Sequence, residues 1–529
     1  MAQRYDVTIV GGGHNALVAA AYLAQAGLRT LLLERLPHTG GAAVSTHSFP
    51  GVDAELSRYS YLVSLLPQRV ITDLGLDLEL RSRPTASYTP TWRSGRSTGL
   101  LVERRHSGVT ADSFRALTGG DSEYDAWQAF YGEIEAAAQT LAPSLTEPLL
   151  PAGEVANRVG ADTWRWLAQE PIGAELERRF ADDTVRGVVA TDALIGTFAS
   201  LHDESLVQNR CLLYHLIGNG TGEWRVPVGG MGAVTDALLQ AAVRAGVDVR
   251  TGTAVTRVEA DGVGAQTTYE HAGDHDGDEV TVDSRMVLSG VAPAVLDGLL
   301  GRAGDAPRPE GSQLKINLVL SRLPRWKAGI DPTVAFAGTL HVAEDYSQLD
   351  AAYDAAAAGR VPAPLPGEFY CHSLTDPSIL GRDLAEQGYQ TITYFGVHTP
   401  GRLFAEADPA VVDRAVDNAL DALDAHLEEP IRDCLATDAD GRPCLEVKTP
   451  QDVEAALNMP GGHIFHGDLQ WPWLPEGGGG APASAAERWG VATGVDNVLL
   501  CGSGARRGGA VSGLGGHNAA HAVLETLRT

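Results

Sequence analysis

Hydrophobic and polar positions along the chain alternate between two periods. Tyr5–Val10 is a short, β-branched run that stops at Gly11-Gly12-Gly13, as a buried strand does before a tight turn. Ala16–Gln25 then repeats apolar positions at helical spacing and closes at Gly27, a C-cap signal. Thr30–Leu33 is apolar throughout and predicts a second buried strand. Strand, glycine turn, helix and strand make a βαβ unit with a right-handed crossover.

Farther on, helical periodicity covers Ser122–Leu141, Thr163–Phe180 with an interruption at Pro171, Ala233–Ala245 and the amphipathic Pro409–Leu427. Strand patterns cover a pair about Val247–Val258, then Gln313–Leu320, Gly367–His372 and Thr391–Val397. Asn497–Cys501 is a last strand, ending at Gly502. A loop rich in glycine (Gly504, Gly508, Gly509, Gly513, Gly515, Gly516) leads from it to a final helix, His517–Leu527. No repeat of fixed period is present. The chain is α/β, with a Rossmann-like parallel sheet at its start.

Composition narrows this picture. At 529 residues the chain exceeds one ordinary domain, and 44% hydrophobic with 20% charged residues is globular. The net charge of −27 repels nucleic acid. No apolar run reaches the roughly 20 residues that span a bilayer, and the first residues lack the apolar core of a signal peptide. The expectation is a cytoplasmic protein; contact with a membrane surface and a homodimer stay open. Cys211, Cys371, Cys434, Cys444 and Cys501 contain no C-x-x-C pair, so no redox dithiol is expected. Asp274, Asp276 and Asp278 alternate like calcium ligands in the acidic hairpin Tyr269–Asp283. Gly277 stands two places early for that loop and the closing Glu is missing; no metal is expected.

The strongest motif is Gly11-x-Gly13-x-x-Ala16 between strand and helix, with Glu34 closing the next strand about 20 residues on. Gly11 permits the turn, Gly13 lets a pyrophosphate approach the backbone, and Ala16 lets the helix lie on the strand. His14 and Asn15 open the helix, whose free N–H groups and dipole favour phosphate. Glu34 is placed to accept from the adenosine ribose. Arg35 and then Gly40-Gly41-Ala42 extend the motif as in FAD proteins, where such residues wrap the pyrophosphate from a second side. A 2′-phosphate on Arg35 would meet repulsion from Glu34. At the other end, Gly502, Gly509, Ala510, Val511 and Gly513 precede a helix N-terminus suited to an electron-rich flavin edge. Gly229–Gly232 lacks the following acid, so no separate NAD(P)H domain is expected.

These motifs resemble the phytoene desaturase and carotenoid isomerase-like FAD oxidoreductases, nearest to the branch called pyridine nucleotide-disulfide oxidoreductase domain-containing protein 2. The resemblance runs through Gly11–Ala20, Gly40-Gly41-Ala42, Tyr59-Ser60-Tyr61, Ala190–Gly196, Pro227–Gly232, Gly461–Gly467 and the terminal glycine loop. It implies an FAD domain built from 1–75, 225–300 and 490–529. A substrate domain of mixed sheet and helices would take 76–224 and 301–489, as in amine oxidase-type flavoproteins. It also implies Val255 beside the adenine, and desaturation, saturation or isomerisation of an apolar substrate.

Arg506-Arg507 stands where the family has His-Pro. On the family's pattern this lies beside the flavin's reactive half, where guanidiniums suit an anionic substrate group or the anionic reduced flavin. Related amine oxidases carry a lysine in a strand like Leu314–Leu318, which makes Lys315 a catalytic candidate; a lysine on a solvated strand face is the alternative. His466, with His463 three residues before it, is a candidate acid or base. His202, Tyr214, His215 and Trp224 are candidates for the substrate lobe. The function expected is an FAD-dependent dehydrogenase, desaturase or oxidase that moves a hydride from a largely apolar small molecule to flavin N5, with oxygen or a quinone as acceptor. A non-redox flavin isomerase and a flavoprotein acting in assembly are the competing readings.

Overall fold

The computed structural model describes residues 4–105, 107–271, 279–302, 308–475 and 484–528. Asp274, Asp276 and Asp278 of the acidic hairpin, and the Gly477–Gly480 loop, lie outside them.

The first strand, β1 (Arg4–Val10), runs parallel to β2 (Thr30–Leu33), and α1 (His14–Gln25) crosses between them. Ten residues of α1, His14 to Leu23, are buried. The helix is therefore apolar nearly all round, as an interior helix must be. On the other side β1 pairs in parallel with Val280–Ser289. The first half of that strand pairs antiparallel with Ala265–His271, and its last residues run parallel to Val498–Leu500. Asp248–Arg250 adds to the free edge of β2. One sheet thus draws on three distant stretches of chain. The helix Gly230–Arg244 leads into its edge strand Asp248–Arg250, so the Gly229–Gly232 turn serves this same sheet.

A second, mixed sheet contains Thr85–Arg93, Arg96–Glu103, Leu314–Leu320, Thr339–Val342, Gly367–Tyr370, Gln390–Gly396 and Leu445–Lys448. Leu314–Leu320 is buried at every residue, and strands pair on both its edges. Helices between 108 and 217 form a separate apolar cluster around Phe114, Phe130, Trp166 and Leu176. Ser122–Leu141 is one helix; Thr163–Phe180 is broken at Pro171 into Ala161–Ala168 and Ile172–Arg179, since proline cannot donate to the preceding turn.

The C-terminal helix, Leu514–Arg528, lies against α1. A Cβ on Gly516 would stand 1.9 Å from the carbonyl oxygen of Asn15, so only glycine permits this approach. All five cysteines are buried and free. Among the described residues no helix is long and apolar enough to cross a membrane.

Candidate functional site

A cavity of about 1340 Å³, open mouth included, runs from the β1–α1 turn to the second sheet. Gly11, Gly13, His14, Asn15 and Ala16 line its first end, with Glu34, Gly41 and Ala42 beside them. Gly11 sits at φ +88°, a backbone state that favours glycine. A Cβ on Gly13 would meet nothing within 4 Å, so the space there belongs to the cavity. Gly13 caps α1 with no side-chain partner, and the helix's first N–H groups stay available to an anion. The Glu34 carboxylate accepts from Gly12 N at 2.6 Å and from Leu36 N at 2.7 Å. These bonds hold the turn while leaving acceptor sites facing the cavity.

The C-terminal loop closes the other side. Gly502, Ala510 and Val511 line the cavity, together with His466. His14 shares a proton contact with the Ala510 carbonyl at 3.0 Å, and Asn15 donates to the Gly508 carbonyl at 3.0 Å. Ala510 (φ +58°) and His466 (φ +65°) both hold left-handed backbone without being glycine. Such strain collects where a ligand's position outweighs its cost. Asn15 Oδ1 and His466 Nδ1 are buried with no hydrogen-bond partner. A turn with uncapped N–H groups, a carboxylate at the ribose position and two orphaned polar atoms fit a dinucleotide cofactor.

Burial sets the titration of the cavity's histidines. It lowers His14 and His215 to about 4 and, with the nearby His14 and His463, lowers His466 to about 3. All three are neutral at pH 7. Beyond His215, whose ring stacks on Trp224 at 5.2 Å, the walls become apolar: Tyr61, Leu62, Ile195, Phe395, Ile464 and Phe465.

Several residues expected at the site lie elsewhere. Glu34 turns inward, so Arg35 beside it is exposed and donates to the Ala456 carbonyl at 2.9 Å. Gly40 is behind the lining; its N–H bonds to the Gly12 carbonyl at 2.9 Å, and a Cβ there would strike Val44. Gly509 faces Leu469, and Gly513 packs on Val18 and Leu66. Val255 is not in the cavity lining; it is half-buried in the strand Thr253–Ala260, next to a register shift.

Lys315 is 3% exposed, which excludes a solvated strand face. It stands one layer behind the wall, donating to the carbonyls of Ser57 (2.6 Å) and Ser60 (3.1 Å), with Nζ 5.0 Å from the centre of the Phe395 ring. Burial holds its pKa well below the usual lysine range.

The twin arginines also miss the cavity. Arg507 is 1% exposed and donates to the carbonyls of Ser144 (2.9 Å), Glu147 (2.6 Å) and Trp489 (3.0 Å). Arg506 donates to the carbonyls of Trp471 and Trp473. Both staple the C-terminal loop to neighbouring segments, because carbonyls left bare by loop backbone need donors. Of the other candidates, Tyr214 donates to the Gln470 and Arg506 carbonyls, and His202 pairs with Glu177. His463 lies 3.6 Å from Asp468.

Two features had no signal in the residue pattern. Residues 457–459 reach the cavity from the helix Pro450–Leu457 and the turn after it. His341, Glu344 and Glu368, spread over two strands and a turn, bring three ligand-type atoms within 4.8 Å of one another.

Residues 17–327 match the family described as flavin containing amine oxidoreductase. An uncharacterized protein of Mycobacterium tuberculosis is 49% identical over 99% of this chain and 97% of its own length. The pyridine nucleotide-disulfide oxidoreductase domain-containing protein 2 of Mus musculus is 30% identical over 99% and 94%. The solved structure of cyclohexylamine oxidase from Brevibacterium oxydans shares the fold, with a TM-score of 0.56 at 14% identity over 99% of this chain and 100% of that one.

Proposed function

The chain belongs to the flavin-containing amine oxidoreductase family, and from that premise we propose that it oxidises a largely apolar small molecule in the cavity between its two sheets. It is an FAD-dependent oxidoreductase. When bound, FAD would supply the two-electron acceptor for the oxidation.

The protein's own residues do the rest. The uncapped start of α1 binds the pyrophosphate, and Glu34 orients the ribose. The observation that carries the substrate class is the far wall of the cavity, Tyr61, Leu62, Ile195, Phe395, Ile464 and Phe465. The histidines on that side, His215 and His466, are kept neutral by burial. A wall without fixed charge accepts an apolar group and excludes water from the reacting bond. Lys315, held behind the wall on the Ser57 and Ser60 carbonyls, positions the 57–60 loop, whose Tyr59 and Ser60 line the cavity. The sequence likeness to desaturases supports the same substrate class.

Anaerobic mixing of the FAD-loaded protein with apolar amines and unsaturated hydrocarbons tests this reading. A substrate should bleach the flavin absorbance, and oxygen or a quinone should restore it. Product formed with no bleaching and no acceptor consumed would replace the proposal with a non-redox isomerisation.

A further inference from the structure

Beside the cofactor cavity lies a second one, of about 870 Å³. The two share Tyr61, Ile195, His215 and Trp224, so they adjoin at these side chains. The second cavity's lining sets Arg83 and Arg104 among apolar side chains and the carboxyl groups of Glu103, Asp192 and Glu368.

Arg83 is 4% exposed, yet its side chain makes one hydrogen bond, Nη2 to Thr339 Oγ1 at 3.3 Å. Its Nε is buried without a partner, and among the described residues no carboxylate lies within ion-pair distance. The guanidinium rests 5.5 Å from the centre of the Tyr370 ring. Arg104, half-buried on the same cavity, meets its nearest carboxylate, Glu223, at 3.8 Å, and its Nε also lacks a hydrogen bond.

The carboxyl groups close by are engaged with one another's neighbours instead. Glu368 accepts from the Tyr370 hydroxyl, and Glu344 accepts from Thr191 at 3.1 Å and contacts His341 Nδ1 at 2.6 Å. Among the described residues, neither lies within ion-pair distance of Arg83 or Arg104. An arginine does not shed its proton to escape burial. A buried guanidinium with free donors therefore calls for an external anion.

We propose that this cavity binds a carboxylate of the substrate through Arg83 and Arg104, with the rest of the molecule passing Tyr61, Ile195, His215 and Trp224 toward the flavin. The guanidinium fork matches a carboxylate's two oxygens. Glu103 and Asp192 on the cavity wall and Glu223 beside Arg104 repel a phosphate dianion more strongly than the single charge of a carboxylate. The inference rests on the flavoenzyme reading above: it names the substrate class for that same site, an apolar acid.

The test titrates the FAD-loaded protein, without oxygen, with paired probes while following the flavin spectrum: butyrate, decanoate and benzoate, each against its own amide, and decyl phosphate. At least one acid should perturb the flavin about tenfold or more tighter than its amide, and tighter than decyl phosphate. Arg83→Met and Arg104→Met should each remove that preference, lowering the acid's affinity far more than the amide's. The acid–amide comparison in the unaltered protein stands even if a variant fails to fold. Equal affinity for every acid and its amide, no acid binding at all, a preference that survives both substitutions, or decyl phosphate as the tightest ligand would each overturn the proposal. A protein that retains no FAD on reconstitution would instead overturn the reading beneath it, which keeps the two failures apart.

Discussion

Two pairs of arginines sit inside this protein and differ in what their guanidiniums touch. Arg506 and Arg507 adjoin the glycine loop and spend their donors on backbone carbonyls. Arg83 and Arg104 border the second cavity and keep donors free. The first pair belongs to the fold and the second to a ligand. An arginine's role follows from the acceptors around it, not from its distance along the chain to a cofactor motif.

The largest effect should come from Arg507→Met. It strips three backbone carbonyls of their donor, one of them fully buried, at a cost of about 3 kcal/mol. Thermal unfolding should fall accordingly while the potential of bound flavin stays unchanged. A lowered potential with normal stability would make Arg507 an electronic partner of the flavin and dissolve the contrast.

Glu34→Ala probes a group that both staples and binds. Loss of its charge-assisted bonds should weaken FAD binding by about 1.5–3 kcal/mol, ten- to hundredfold, in titration of apo-protein. Unchanged affinity would leave Glu34 as a brace for the Gly12 turn alone.

The buried histidines and Glu368 should respond to pH in opposite directions. His14, His215 and His466 have folded pKa values depressed to about 4, 4 and 3. Their contribution is complete above pH ~6.5 and is lost as pH falls, by about 1.4 kcal/mol per unit for each. Glu368 is raised to about 8. Its contribution is complete below pH ~4.5 and is lost as pH rises toward 8. Melting temperature measured across this range should show a shallower alkaline decline in Glu368→Gln than in the unaltered protein. Equal alkaline slopes would place Glu368 as a charged partner of Arg83.

Arg506→Gln should cost about 1 kcal/mol, since its two carbonyl bonds are longer and its side chain is only partly buried. The smallest change is expected for Arg83→Met: stability within about 1 kcal/mol of the original, or higher, because a buried charge without a counter-ion is exchanged for an apolar chain. A loss as large as that of Arg507→Met would show that Arg83 holds the fold.

The β1–α1 end of the cavity was legible because its geometry is local. One stretch, residues 5–42, carries the strand, turn, helix and acid, and their spacing follows from backbone geometry. Pro171 announced its helix break for the same reason. The apolar wall and the second cavity were not legible. Tyr61, Arg83, Asp192, His341 and Glu368 come from separate segments, and no period or spacing joins them. Lys315 shows the same limit. Its strand pattern was plain, but only the 57–60 segment packed over its face of the sheet decided that it is buried.

By itself, then, the sequence determined that the chain builds a βαβ unit with a glycine turn and that glycines bring the C-terminal loop up to it. Both depend on backbone conformations available within a few residues. Tertiary structure alone decided which polar side chains are satisfied. Arg507 finds carbonyls of residues 144, 147 and 489, while Arg83 is buried facing a cavity. A buried charge takes its meaning from partners that are distant in sequence, and only the folded chain brings those partners near or leaves them out.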